Sequence, residues 1–250
     1  MERAESFASR ALELNDQLAE AHTSLGLVRA LRQDRVGALA SLSRAIELNG
    51  SYAPALHRRA NVLADMGRLT DAAADVAQAA SVDPLSASIA SDYGNILLWS
   101  GDLEGAEEQF ERARSLDFGF GPALLGSAMV ALEQGQEIGL RMSLTQWAAV
   151  SGVPVALAQR LARGMMAHRE TGEAQESPDG LDRMGEEGRL RAGTVAIFHA
   201  LHGNHESALR WLRASVDDRT WVGLYLRVNP AFDGLRGEPA FDDILDTVGA

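Results

Sequence analysis

The chain contains no cysteine, which removes disulfides, thiol nucleophiles and thiolate metal ligands from consideration. Lysine is missing as well, since all 23 basic residues are arginine. A Walker-type lysine, a kinase lysine and a Schiff-base lysine are therefore excluded. Proline is scarce, with 7 residues in 250, and aromatics make up only 6%. Few aromatics beside abundant alanine and leucine favour helix over strand, because strands draw on β-branched and aromatic side chains. No run of 18 apolar residues occurs, so no spanning helix is predicted. Positive charge is in deficit: the net charge is −12. A protein that neutralises phosphates needs a basic face, so direct contact with nucleic acid is not expected, nor is binding to an anionic membrane. Met1-Glu2-Arg3 does not open a signal peptide, and a cytoplasmic location is the expectation.

What the chain does have is a period. Gly26, Ala60, Gly94, Ala128, Ala162 and Ala196 each follow the last by 34 residues. A second series runs Ala4, Ala38, Ala72, Ala106 and returns at Ala174 and Ala208; a third is Ala11, Ala45, Ala79, Ala113. Small residues at a fixed interval mark places where helices cross closely, since a large side chain there would hold them apart. Large apolar residues surround those points: Leu25, Leu42 and Leu48, then Val62, Leu63 and Val76, then Tyr93, Leu97 and Phe110. Turn residues separate paired helices at Asp34, Gly67-Arg68, Gly101-Asp102 and Gly135. They separate successive pairs at Asn49-Gly50, Asp83-Pro84 and Gly119-Phe120-Gly121-Pro122.

This pattern resembles the tetratricopeptide repeat (TPR) family over most of the chain. Ala19-Glu20-Ala21-His22-Thr23-Ser24-Leu25-Gly26 reads as the first helix of a unit, and Ala38 through Leu42 to Ala45-Ile46-Glu47-Leu48-Asn49 as the second. The resemblance implies an all-α, right-handed superhelix that binds protein without catalysis. Units are expected at 19–52, 53–86, 87–120 and 121–150. Residues 1–18 supply only the second helix of an incomplete unit, which points either to a chain that begins inside a longer protein, with an exposed apolar stripe, or to an N-terminal cap helix. Residues 151–190 form a degenerate unit: Val155 to His168 keeps the phase, but Gly172, Pro178, Gly180, Gly185 and Gly188 break its partner. A final hairpin follows at 191–217, turning at His202-Gly203-Asn204. Residues 218–250 are the cap, with Phe232, Leu235, Phe241 and Leu245 set to cover the last hairpin. The run Trp211-Leu212-Arg213-Ala214-Ser215, then Leu224 to Pro230, resembles the end of TPR regions in bacterial multidomain regulators. In those, a winged-helix, kinase or nucleotide-cyclase domain precedes the solenoid.

Catalytic chemistry finds little footing. His199-x-x-His202-x-x-His205 has a spacing zinc or nickel could use, but packing and turn positions account for all three. Gly119, Gly121 and Gly126 lack a lysine and follow a helix, so they read as a turn and not a phosphate cradle. The pairs Glu186-Glu187, Asp217-Asp218 and Asp242-Asp243 have no nucleophile assignable beside them. Neither enzyme activity nor a cofactor or metal is expected.

In the TPR family the first helix of each unit lines the concave face. By that phase the candidate partner-binding residues are His57, Arg58, Asn61, Asn95, Trp99 and Met129. Asn61 and Asn95 occupy one repeat position, and a carboxamide can pair with both polar groups of an extended backbone. Trp99 offers an apolar anchor and Arg58 a carboxylate partner. The lysines with which chaperone-tail clamps hold acidic C-termini have no counterpart. The expected partner is a protein or peptide, the chain's own fused domain or C-terminal segment, or a second copy.

Overall fold

The structure, a computed structural model, describes residues 2–176, 180–217 and 225–249. Pro178, Asp218 and Leu224, all singled out above, lie outside the described residues. Within them there are fourteen α-helices and no strand. After α1 (Glu2–Leu14) come four hairpins: α2 (Ala19–Leu31) with α3 (Arg35–Leu48), α4 (Ala53–Asp65) with α5 (Leu69–Val82), α6 (Ala87–Trp99) with α7 (Leu103–Leu116), and α8 (Gly121–Glu133) with α9 (Glu137–Ser151). Each pair packs most closely within itself, then second helix against the next first helix; α2, α4, α6 and α8 also touch one another along the inner face.

The first helices end where a residue takes a left-handed backbone, and these residues keep the period: Gln33, Gly67, Gly101 and Gly135 have φ of 65°, 75°, 84° and 70°. Only glycine adopts that conformation without Cβ strain, so it stops a helix and reverses the chain. In two of the units an aspartate then starts the second helix. Asp34 accepts from the Gly37 N–H and Asp102 from the Gly105 N–H, satisfying one of the orphan amides of the first turn. Prolines fall in the first turns of α4 and α8, where no N–H is needed.

The small-residue series marks the crossings. Gly26, Ala60, Gly94, Ala128, Ala162 and Ala196 are all buried. A Cβ on Gly26 would meet Leu42 at 2.6 Å, one on Gly94 would meet Phe110 at 2.6 Å, and one on Gly126 would meet the same ring at 2.3 Å. Phe110 thus lies between two glycines from successive units. Leu42, Val62, Leu63, Val76 and Phe110 are buried as expected, while Leu25, Leu48, Tyr93 and Leu97 are half-buried. Ala4 and Ala174 keep the spacing without the burial: the first is on the outer side of α1, the second in the loop after α10.

The array loses its regularity at α10 (Val155–Thr171), which has 17 residues where the first helices before it have 13. Arg169 stands where the period would place the next stop glycine. The helix therefore runs on to Gly172, whose φ is 70°. Its partner α11 (Leu181–Glu186) has only 6 residues. Order returns with α12 (Ala192–Leu201) and α13 (His205–Asp217), joined through Gly203 at φ 74°. A 3-10 turn at Pro230–Leu235 and α14 (Pro239–Thr247) complete the described chain. Phe232, Leu235 and Phe241 are fully buried in one cluster with Ala208 and Leu212 of α13, and Leu245 packs at its edge.

Candidate interaction groove

The inner helices bring three of the expected binding residues, His57, Arg58 and Asn61, to one stretch of groove. His57, on α4, places Nε2 2.7 Å from Asp92 Oδ2 of α6, and the Asn61 amide donates to the same oxygen at 3.1 Å. Asp92 thus takes one face of the carboxamide that the Asn61/Asn95 pairing reserves for a ligand. Arg58 borders a narrow cleft with Asn61, Asp65 and Arg35. Trp99, on α6, is half-buried under Tyr225, ring centroids 4.6 Å apart and planes tilted by 37°. Asn95, Trp99 and Met129 line a neighbouring cavity of about 480 Å³.

Tyr225 belongs to the chain's own C-terminal segment, so the groove already receives part of the chain itself. Burial, with the Asp92 and Asp65 carboxylates nearby, raises the Tyr225 phenol well above its ordinary pKa. The segment is held a second time at the far end of the groove. Arg35 opens α3 and is about nine-tenths buried. Its Nε lies 2.5 Å from Asp65 Oδ2, and its Nη1 donates to the carbonyls of Val248 at 3.1 Å and Gly249 at 2.5 Å. Burial lifts the Asp65 carboxyl to about 6 despite the pull of Arg35. The two contacts join the first full unit to the last element of the chain across more than 200 residues.

Arg35, Asp92 and Tyr225 carry much of this arrangement, and sequence reading did not single them out as site residues. For Arg35 there was a signal. The same repeat position holds Leu69 and Leu103 in the next two units and Glu137 in the fourth, so Arg35 departs from the leucines that follow it. Asp65 and Trp99 share another position one unit apart; Tyr225 packs on Trp99, and the Asp65 carboxylate acts on its phenol.

The three histidines go separate ways. His199 Nε2 is 2.9 Å from Asp182 Oδ1, His202 Nδ1 is 2.6 Å from the Phe198 carbonyl, and His205 Nδ1 is 2.5 Å from Glu238 Oε1. Burial lowers the His199 pKa although Asp182 opposes it. Burial also works against the Asp182 carboxylate, but hydrogen bonds from Trp211 and His199 hold its pKa below the usual value. Among the described residues no group of three His, Asp or Glu side chains is placed to hold one metal ion. No helix there is long and apolar enough to cross a membrane.

Solved structures share this architecture over most of the chain. A tetratricopeptide repeat protein from Parabacteroides merdae superposes with a TM-score of 0.66 at 14% identity, over 99% of this chain and 91% of that one. This is the tetratricopeptide-repeat fold. YrrB, described as a TPR protein with an unusual peptide-binding site, matches with a TM-score of 0.54 at 18% identity, over 81% of this chain and 96% of its own. The pilF protein of Pseudomonas aeruginosa matches at 0.57 and 17%, over 92% and 98%. No family model and no curated protein matches the sequence. At these identities the likeness carries the TPR fold alone.

Proposed function

We propose that the chain is a non-catalytic scaffold whose concave groove binds an extended protein segment. One observation carries the reading: the groove already holds part of the chain's own tail in cis, folded there as turns and a short 3-10 helix. Trp99 packs against its tyrosine, and Arg35 takes the Val248 and Gly249 carbonyls at the end of α14. Main-chain capture with an aromatic anchor is how grooves of this kind read peptides. His57, Arg58, Asn61, Asn95 and Met129 complete the surface that a partner meets. The peptide-binding site for which YrrB is described accords with this use of the fold.

The test uses the segment itself. A synthetic peptide spanning 225–235, added to the Tyr225→Ala chain, should quench Trp99 fluorescence with a Kd of roughly micromolar order. The unmodified chain should bind it at least tenfold more weakly, because the tethered copy competes at high effective concentration. Asn61→Ala with Asn95→Ala should weaken the trans complex. If neither chain takes up the peptide, the groove reading fails.

The biological setting belongs to the same proposal. Resemblance of the tail to those of bacterial multidomain regulators supports a place at the C-terminal end of a cytoplasmic signalling or transcription regulator, with any DNA contact made by another domain. The reading frame preceding Met1 decides this. A winged helix, kinase or cyclase there supports it, and a frame with no such domain removes it.

A second reading, self-association, has its own observation. On α1, Phe7 and Leu14 are 67% and 75% exposed, two turns apart on one face. Such a stripe is suited to a second copy. Light scattering over a dilution series should show a dimer that Phe7→Glu abolishes; a monomer at every concentration excludes it.

A further inference from the structure

A cavity lies on the inner face where the irregular unit follows the regular ones. α10 packs chiefly on α9 and makes smaller contacts with α8 and α12. Between α8 and α12 the inner face opens into the cavity of about 480 Å³, a size typical of small-molecule sites. Its body is apolar and aromatic: Trp99, Met129, Trp147, Met165 and Phe198 line it, with Tyr225 of the tail as one wall. Trp147 and Phe198 meet with centroids 5.4 Å apart, giving a firm floor.

Charge at the cavity is one-sided. The chain carries 35 acidic residues against 23 arginines, yet the described lining contains no carboxylate and two arginines, Arg189 and Arg191. Arg189 is engaged: it donates to the Gly152 carbonyl at 3.1 Å and lies 3.6 Å from Glu187. Arg191 is exposed and forms no ion pair among the described residues. A site with apolar walls and an unneutralised guanidinium is complementary to a ligand with an apolar body and an anionic head.

We propose that this cavity binds a small amphiphilic carboxylate, its hydrocarbon portion between Met129, Trp147 and Phe198 and its head group on Arg191. The site shares Asn95, Trp99, Met129 and Tyr225 with the proposed peptide groove, but its ligand is held by Arg191, Trp147 and Phe198, which peptide capture does not use. Occupancy would therefore be felt by the tail.

Decanoate is the probe, titrated into the full chain below its micellar range and followed by calorimetry and tryptophan fluorescence. Saturable binding at one site per chain is expected, with decan-1-ol at least tenfold weaker. Arg191→Gln should weaken decanoate about tenfold and leave decan-1-ol unchanged. Leu125→Trp, which fills the cavity from α8, should abolish both while the helical signal and melting transition persist. Equal binding of the acid and the alcohol overturns the proposal. So does an Arg191→Gln chain that binds decanoate like the parent, or uptake that never saturates. If decanoate fails to bind and only a peptide ending in a free leucine carboxylate does, the cavity is a peptide pocket and the proposal is wrong.

Discussion

Two glycines that perform the same steric task separate the regular half of the solenoid from the irregular one. In the first, Gly126 leaves room for the Phe110 ring, which a Cβ would meet at 2.3 Å. In the second, Gly164 of α10 leaves room for the His202 imidazole, which a Cβ would meet at 2.3 Å. Both rings are fully buried. The hydrocarbon needs nothing further, whereas the imidazole must be satisfied. His202 Nδ1–H donates to the Phe198 carbonyl, and Nε2 is buried without a partner. At these two crossings, therefore, one is held by volume alone and the other by volume joined to a group that can ionise.

The largest expected effect is on the volume side. Phe110→Ala empties a site bounded by two glycines, which cannot collapse inward without bringing backbones together. The expected loss is about 3–5 kcal/mol, constant from pH 5 to pH 8, measured by urea unfolding. A small or strongly pH-dependent loss would show that the regular half does not rest on this ring.

Protonation of His202 comes next. Burial depresses its pKa to about 4 from 6.5. The unfolded chain thus binds the proton more readily, and the contribution to stability is fully present above pH 6.5 and lost as pH falls toward 4. A shift of this size corresponds to roughly 3 kcal/mol. Asp65 in the regular half works in the opposite direction. Its raised pKa, about 6, contributes stability below pH 4 that is lost as pH rises through 6. The unmodified chain should therefore show a shallow profile between pH 4 and 6.5. His202→Leu should turn it into a clear decline with rising pH, and an unchanged profile would refute the assignment.

Glycine substitutions compare the two sites directly. Gly126→Ala and Gly164→Ala should each cost about 1–3 kcal/mol by overpacking. Combined with His202→Ala, the Gly164→Ala cost should largely vanish, because the conflicting ring has gone. Coupling of about 1 kcal/mol or more in that double-mutant cycle is the expected sign of contact, and additive costs would deny it.

The same contrast explains what could be read from the sequence. The crossings of the regular units were legible because Gly or Ala must recur wherever helices approach, and that requirement is local and periodic. The degenerate unit was legible as a break but not in its shape. Its cause is Arg169 in place of a stop glycine, and how far a helix then overruns depends on what it packs against. Of the groove, the inner-face residues followed from phase. The partner that fills it did not, since the stacking of Tyr225 on Trp99 and the hold of Arg35 on Val248 and Gly249 join elements with no shared period. The three histidines illustrate the limit on chemistry. Even spacing in sequence put them on different partners, because His202 and His205 flank a turn and point into different layers.

Helix starts offer the smallest test of how evenly the regular units share their stability. Asp34 and Asp102 cap α3 and α7 from the same repeat position, while Arg68 and Gln136 at that position cap α5 and α9 with no side-chain bond. Each cap aspartate is followed three residues on by glycine, and a Cβ on Gly105 would strike the Asp102 carboxylate at 2.5 Å. Glycine is tolerated in that first turn because the cap needs its space. Asp102→Ala should therefore cost about 1 kcal/mol, and Gly105→Ala a comparable amount through displacement of the same carboxylate. The double replacement should cost no more than either alone, since alanine at 105 recovers helix propensity once the cap is absent. Thermal melts of the three variants decide it, and strictly additive losses would mean that Gly105 is kept for some reason other than the cap.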